Sequence, residues 1–217
     1  MRLMCGRYDL SESPAAIRAK FELPEFPSYT GGADLRPSQR LPIVRLDGRG
    51  AREGALARWG LVPPWAADLS FGSRCFNARS ETAARAPAFR AAWQARRCLV
   101  PLNAFHEWSG PAGQRTRHRI HPEGEPLFAL AGLWERWGRG AEAVDTYTVL
   151  TCAPNEAMAP IHDRMPVILA AADYDAWLHE PAARLLQPYA GRLVIEALAA
   201  APPRTEPAAA PAQLRLL

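Results

Sequence analysis

Cys5 follows Met4 near the front of the chain. If the residues before it are removed, one residue carries both a thiol and a free α-amine. Near neutral pH an α-amine (pKa about 8) and a thiol (about 8.5) are both partly in their nucleophilic forms. The amine condenses with an aldehyde to an imine. The thiol then closes on the same carbon to give a five-membered thiazolidine ring. A cysteine inside a chain cannot do this, because its nitrogen is an amide. As written, Met1-Arg2-Leu3 precede Met4, and a cysteine in such a place also serves as a small buried hydrophobe or an idle thiol.

Three further polar residues have chemistry to offer: Asn77, Glu107 and His162. Glu107 lies between His106 and Trp108 on an expected strand. An exposed strand carboxylate explains it. Burial among the aromatics would instead raise its pKa and suit it to proton transfer. His162 precedes Asp163-Arg164, a pattern that also fits a structural, salt-bridged histidine. Asn77 fits a turn, and Arg7 and Arg79 read most simply as surface charges.

Composition narrows the class. With 217 residues, 48% hydrophobic and 22% charged, the chain is long enough to bury a core and ordinary for a soluble globular protein. The net charge is +4, and Lys20 is the sole lysine, so almost all positive charge sits on arginine. A GC-rich genome explains that bias. Its physical consequence is a surface whose guanidinium forks match phosphate oxygens. The four cysteines, Cys5, Cys75, Cys98 and Cys152, are scattered with no CxxC pair. No zinc site, other metal or cofactor is therefore expected, and nothing marks a disulfide framework. The front lacks a secretory h-region, and no run reaches the roughly 18 apolar residues of a membrane span. A cytoplasmic, nucleoid-associated monomer is expected.

The positioning elements follow from pattern. A helix is predicted over Ser13 to Phe21, with Ser13 as cap and Pro14 in the first turn. Leu23 to Pro37 reads as loop. Leu41 to Leu46 and Gly54 to Leu61 read as strands around an Asp47-Gly48 turn. Val62-Pro63-Pro64-Trp65 exposes a tryptophan in a loop. A helix is expected from Ser80 or Thr82 to about Ala95, burying Phe89 and Trp93. Strands are expected at Arg97 to Pro101, Ala104 to Trp108, Arg117 to Ile120, Leu127 to Trp137, Thr146 to Thr151 and Met165 to Leu169. Short helices are expected at Asn155 to Ala159 and Ala172 to Leu178. Many short strands with few helices make an α+β protein with antiparallel sheets. Residues 4–198 form one domain, 1–3 an extension or a segment upstream of the true start, and 199–217 a disordered Ala/Pro-rich tail.

Six segments, taken together, resemble one family. They are Cys5-Gly6-Arg7-Tyr8, Trp59-Gly60-Leu61-Val62-Pro63, Asn77-Ala78-Arg79-Ser80-Glu81-Thr82, Arg97-Cys98-Leu99-Val100-Pro101, Phe105-His106-Glu107-Trp108 and Ile161-His162-Asp163-Arg164-Met165-Pro166. In this order and spacing they resemble the SOS response-associated peptidase (SRAP) family. The resemblance implies antiparallel sheets curled toward a barrel, a few peripheral helices and a basic channel for single-stranded DNA. It implies capture of the ring-opened aldehyde of an abasic site as a thiazolidine DNA–protein crosslink, in plain single strands or at single-strand/double-strand junctions. Carried over by residue, Cys5 is the nucleophile and Asn77 positions it and the sugar. Glu107 shuttles protons, and His162 assists ring opening and crosslink reversal. The DNA-contacting set is Gly6, Arg7, Pro37, Ser38, Trp65, Arg79, Thr151 and Arg164. The chain departs from the family pattern at Asp34-Leu35-Arg36, at Leu102-Asn103-Ala104 and at His106, which takes an aromatic slot. These changes bear on affinity more than on the core reaction.

Two other readings compete. The thiol, histidine and asparagine can support acyl transfer, making the protein a thiol peptidase that removes its own leader. Alternatively, the chain binds single strands noncovalently and Cys5 is idle.

Overall fold

The computed structural model describes residues 6–111 and 113–198. Cys5, the expected extension 1–3 and the expected tail 199–217 lie outside the described residues. In chain order the strands are β1 (Tyr8–Leu10), β2 (Gly32–Leu35), β3 (Arg40–Leu46), β4 (Arg52–Trp59), β5 (Asn77–Arg79), β6 (Arg97–Leu102) and β7 (Ala104–Ser109). They continue with β8 (Thr116–Pro122), β9 (Phe128–Trp137), β10 (Val144–Cys152), β11 (Met165–Pro166), β12 (Ile168–Leu169) and β13 (Leu193–Leu198). The helices are short: α1 (Pro14–Lys20), α2 (Ser80–Ala83), α3 (Arg90–Ala95) and α4 (Tyr174–His179).

Five strands close on themselves in the order β10, β4, β3, β6, β9 and back to β10. Closure of so small a ring needs close backbone approach. Gly132 on β9 supplies it, since a Cβ there would sit 2.8 Å from Cys98 Sγ and 3.0 Å from Thr148 O. A second sheet, β13-β8-β7-β1-β2, lies beside the barrel. The two share a continuous path, because β6 runs into β7 through Asn103, whose N–H donates to Asp9 O at 2.8 Å. The expected α+β class, with antiparallel sheets curled toward a barrel and few helices, is what the chain adopts.

Several local expectations need correction. β10 pairs in parallel with both β4 and β5, so the sheets are not purely antiparallel. The stretch read as loop contains β2, which completes the edge of the second sheet. The helix expected from Ser80 to Ala95 is two helices, because Pro87 lacks an N–H and bars its predecessor from helical geometry. Residues 155–159 form turns, since Asn155 Oδ1 takes the Met158 N–H at 3.0 Å and competes with a helical ladder. Met165 to Leu169 splits in two. Val167 bridges the halves, donating to Leu150 O of β10 and accepting from Ala131 N of β9, both at 2.9 Å, and β12 then pairs with β9. β13 was not anticipated.

The interior is apolar apart from a few placed groups. The Arg97 guanidinium is buried and donates to the carbonyls of Trp93, Gln94, Trp177 and Leu178. That bonding ties α3 to α4 and meets the hydrogen-bond demand of a buried cation.

Candidate nucleic-acid interface and reactive site

The described chain starts at Gly6, which leads directly into β1. Tyr8 pairs with Phe105 on β7, and Arg7 O accepts from His106 N at 3.0 Å. The N-terminal strand is therefore laid along the strand that carries Glu107. Side chains alternate across a strand. Glu107 shares the face of Phe105, turned inward, and is 1% exposed. His106 takes the opposite face.

Tyr8 anchors this arrangement to the barrel. Its ring lies 5.0 Å from the Trp59 ring, which stacks on Tyr147. The Trp59 indole N–H donates to Phe76 O at 2.8 Å, immediately before Asn77. β5 then runs parallel to β10, with Asn77 opposite Val149 and Arg79 opposite Thr151. Asn77 and Arg79 share one face, while Ala78 between them enters the core. Asn77, expected as a turn residue on local grounds, is in a strand.

Arg164 holds the next layer. It forks onto Glu81, Nη1 to Oε1 at 2.5 Å and Nη2 to Oε2 at 2.8 Å, and also donates to Thr151 O. Its backbone N–H donates to His162 Nδ1 at 3.1 Å. The same Nδ1 lies 2.9 Å from Asp163 Oδ1. The imidazole therefore has a donor ready for unprotonated Nδ1 and an acceptor ready for protonated Nδ1. His162 itself is buried.

The cations divide by partner. Arg7 is paired with Asp34 at 2.7 Å. Arg79 is exposed and enters no ion pair among the described residues. Trp65 is 60% exposed, with its ring edge on Phe71 at 5.1 Å and 83°. Pro37 and Ser38 lie in the loop between β2 and β3, where Ser38 adopts φ 77°.

Three thiols fall within the described residues, and burial pushes all of them up, Cys152 to about 11. Cys75, Cys98 and Cys152 are thus poor nucleophiles at neutral pH. Among the described residues no group of three or more His, Cys, Asp or Glu is placed to hold a metal, and no helix is long and apolar enough to cross a membrane.

The signal that sequence reading missed is Asp34. It appeared only as a departure from a pattern, yet it gathers Arg7, Arg36 and Arg117 around one carboxylate. Burial pushes its carboxyl up, but hydrogen bonding from Arg36 and the charges of Arg117 and Arg7 outweigh this and hold it below the usual carboxylate range.

A sequence model of the SOS response associated peptidase (SRAP) family matches residues 4–201. The abasic site processing protein YoaM of Bacillus subtilis is 39% identical over 81% of this chain and 79% of its own length. The abasic site processing protein YedK of Escherichia coli is 24% identical over 82% of this chain and 80% of its own. A crystal structure of a Bordetella bronchiseptica protein superimposes with a TM-score of 0.78 at 32% identity, covering 90% of this chain and all 100% of that one. With these segments in order along the chain and this barrel beneath them, the protein belongs to the SRAP family.

Proposed function

We propose that this protein processes abasic sites in DNA, and that it does so by trapping the lesion in single-stranded DNA on Cys5. The relatives' names support the first part. The observation that carries the second is the placement of Glu107. It is buried at 1% exposure on the strand hydrogen-bonded to the segment that directly follows Cys5 in sequence.

The chemistry runs as a condensation. An abasic sugar is mostly a closed hemiacetal, so a proton must reach the ring oxygen as one leaves the anomeric hydroxyl. Glu107 and His162 are the acid–base pair for that step. The Cys5 α-amine adds to the aldehyde carbon, and the adduct loses one water to give the imine. The thiol then adds to the same carbon while its proton passes to nitrogen, and the thiazolidine closes. Asn77 orients the sugar. Arg7 and Arg79 hold flanking phosphates, with Gly6, Pro37, Ser38, Trp65 and Thr151 along the strand. The paired geometry of Arg164 gives it the task of holding Thr151 and the His162 turn in place.

The test is a denaturing gel with an abasic oligonucleotide. Cys5→Ser should abolish the denaturation-resistant band and leave plain single-strand binding nearly unchanged. A surviving band would assign the chemistry to another residue. The family's description as a peptidase favours a second reading, removal of the chain's own leader. Intact mass decides it. A parent that begins at Cys5 beside a His162→Ala protein that retains residues 1–4 means autocatalytic removal. Both beginning at Cys5 means removal by another route. A parent that retains residues 1–4 leaves Cys5 without its α-amine and sinks both readings.

A further inference from the structure

Five guanidiniums gather along the loop between β2 and β3, with one carboxylate among them. Asp34 Oδ2 is 2.7 Å from Arg7 Nη1 and 2.6 Å from Arg36 Nη2, and Asp34 Oδ1 is 2.8 Å from Arg117 Nη2. Three cations on one anion leave two net positive charges there. From Arg36 the chain turns through Pro37 and Ser38, and Arg58 Nη1 donates to Ser38 O at 2.6 Å. Arg40 lies directly opposite Arg58 across the β3–β4 pair.

Arg40 and Arg58 form no ion pair among the described residues, and Arg58 Nε is buried without a hydrogen-bond partner among them. Like charges placed opposite each other on neighbouring strands repel. Several arginines elsewhere are neutralised by carboxylates. Arg45 meets Glu53 and Asp145, Arg52 meets Asp175, and Arg96 meets Glu135. What sets the β2–β3 region apart is that its arginines face one another, Arg40 opposite Arg58 and three more around one carboxylate. Five positive charges less one negative leave four, on a surface that starts beside Gly6.

We propose that Arg36, Arg40, Arg58 and Arg117 extend from Arg7 as a phosphate-binding arc, a track for the DNA single strand. This rests on the reading of the protein as a single-strand binder and names the residues that hold the strand away from the lesion. Guanidinium groups bind phosphodiester oxygens strongly. Arg36 spends Nε and Nη2 on Asp34 Oδ2 at 3.2 and 2.6 Å, and its 57% exposed side chain leaves Nη1 for a phosphate. Arg36 and Arg117 need not leave Asp34 to bind. Arg117 spends Nε on His106 and Nη2 on Asp34, so in both residues Nη1 is the group offered to a phosphate.

Salt dependence reads the contacts. Each phosphate neutralised on a single strand adds about 0.7 to the slope of log K against log salt. The binding of labelled oligothymidine to the full chain is to be followed by anisotropy across a salt series. Arg36→Gln/Arg40→Gln should lower the slope by about 1.4 and weaken binding about tenfold at about 0.1 M salt. Both residues are exposed, so the fold should be unaffected. Arg49→Gln, on the turn at the far end of the β3–β4 hairpin, should leave the slope alone. An unchanged slope in the double variant overturns the arc, as does an equal fall in Arg49→Gln. Competition by polyglutamate as strong as by oligothymidine would also overturn it, since the patch would then not select phosphate. Crosslinking to an abasic strand at low salt is scored separately. A Cys5-dependent crosslink with an unchanged slope sinks the arc alone. A lowered slope with no crosslink upholds the arc and sinks the thiol mechanism.

Discussion

The hydroxyls of Tyr8 and Tyr147 lie 2.8 Å apart in the interior. One belongs to β1, just after Gly6, the other to β10 of the barrel. Their bond, with the Trp59 ring packed against both, fixes the front of the chain against the body. Tyr8→Phe and Tyr147→Phe keep the rings and remove the bond. Each should lower stability by about 1 kcal/mol in urea unfolding. The double variant should lose less than the sum, because one bond cannot be lost twice. Crosslinking to abasic DNA should slow in both while plain-strand affinity holds. Additive losses would mean the two hydroxyls act independently.

Glu107→Gln keeps the shape of a side chain that is 1% exposed but removes its capacity to gain and release a proton. General acid–base groups typically contribute about 100-fold or more. Single-turnover crosslinking should slow by about 100-fold, with plain single-strand binding within about twofold of the parent. His106, one residue away on the other face, bonds Asp9 at 2.9 Å and accepts from Arg117. A network of that kind affects affinity, so His106→Phe should shift binding rather than rate. An unchanged rate in Glu107→Gln removes it from the chemistry.

Sequence reading reached the barrel class and the main strands because hydrophobic alternation is local. It could weigh burial of Glu107 because His106 and Trp108 flank it. It did not reach the parallel pairing of β5 with β10, which joins Asn77 to Val149 from distant parts of the chain and leaves no trace in either segment. β2 and β13 were missed for a related reason. The first has glycine and proline neighbours that read as loop. The second, at the chain's far end, is specified by its pairing with β8. Asp34 could be seen as unusual, but which arginines it gathers depends on folding. Arg7 comes to it from just before β1 and Arg117 from β8.

Arg164 and Glu81 give a pH signature. The hydrogen bond from Arg164 is the main cause holding the Glu81 carboxyl below its usual value. A carboxylate depressed in the folded state contributes stability that is complete above its unfolded pKa, about 4.3, and disappears as pH falls through the lower folded value. Glu81 is half exposed, so solvent screens the pair, and Glu81→Gln should cost under about 1 kcal/mol at pH 7. The difference between parent and variant should shrink below about pH 4 and close in stronger acid. A gap in thermal midpoint that persists at low pH would mean the substitution acts through packing or the Thr151 contact on β10 instead of the ion pair.

Gly60 and Gly72 press backbone to backbone and set where the Trp65 loop leaves the barrel. A Cβ on Gly60 would come 2.6 Å from Gly72 O, at φ +120°, and one on Gly72 would come 2.4 Å from Gly60 O. Neither obstacle is a side chain that can swing away. Gly60 N also donates to Tyr147 O at 2.8 Å, so the strand cannot back off without breaking that bond. Gly60→Ala and Gly72→Ala should each destabilise the fold by about 3 kcal/mol, from strain and overpacking together. Gly48→Ala, at a turn with nothing within 4 Å of the added carbon, should stay within about 0.5 kcal/mol of the parent. Because Trp65 packs on Phe71 within the segment that Gly60 and Gly72 pin, single-strand affinity should fall in both pinned variants even at temperatures where they remain folded. Affinity unchanged in a folded Gly72→Ala protein would separate the Trp65 loop from DNA binding.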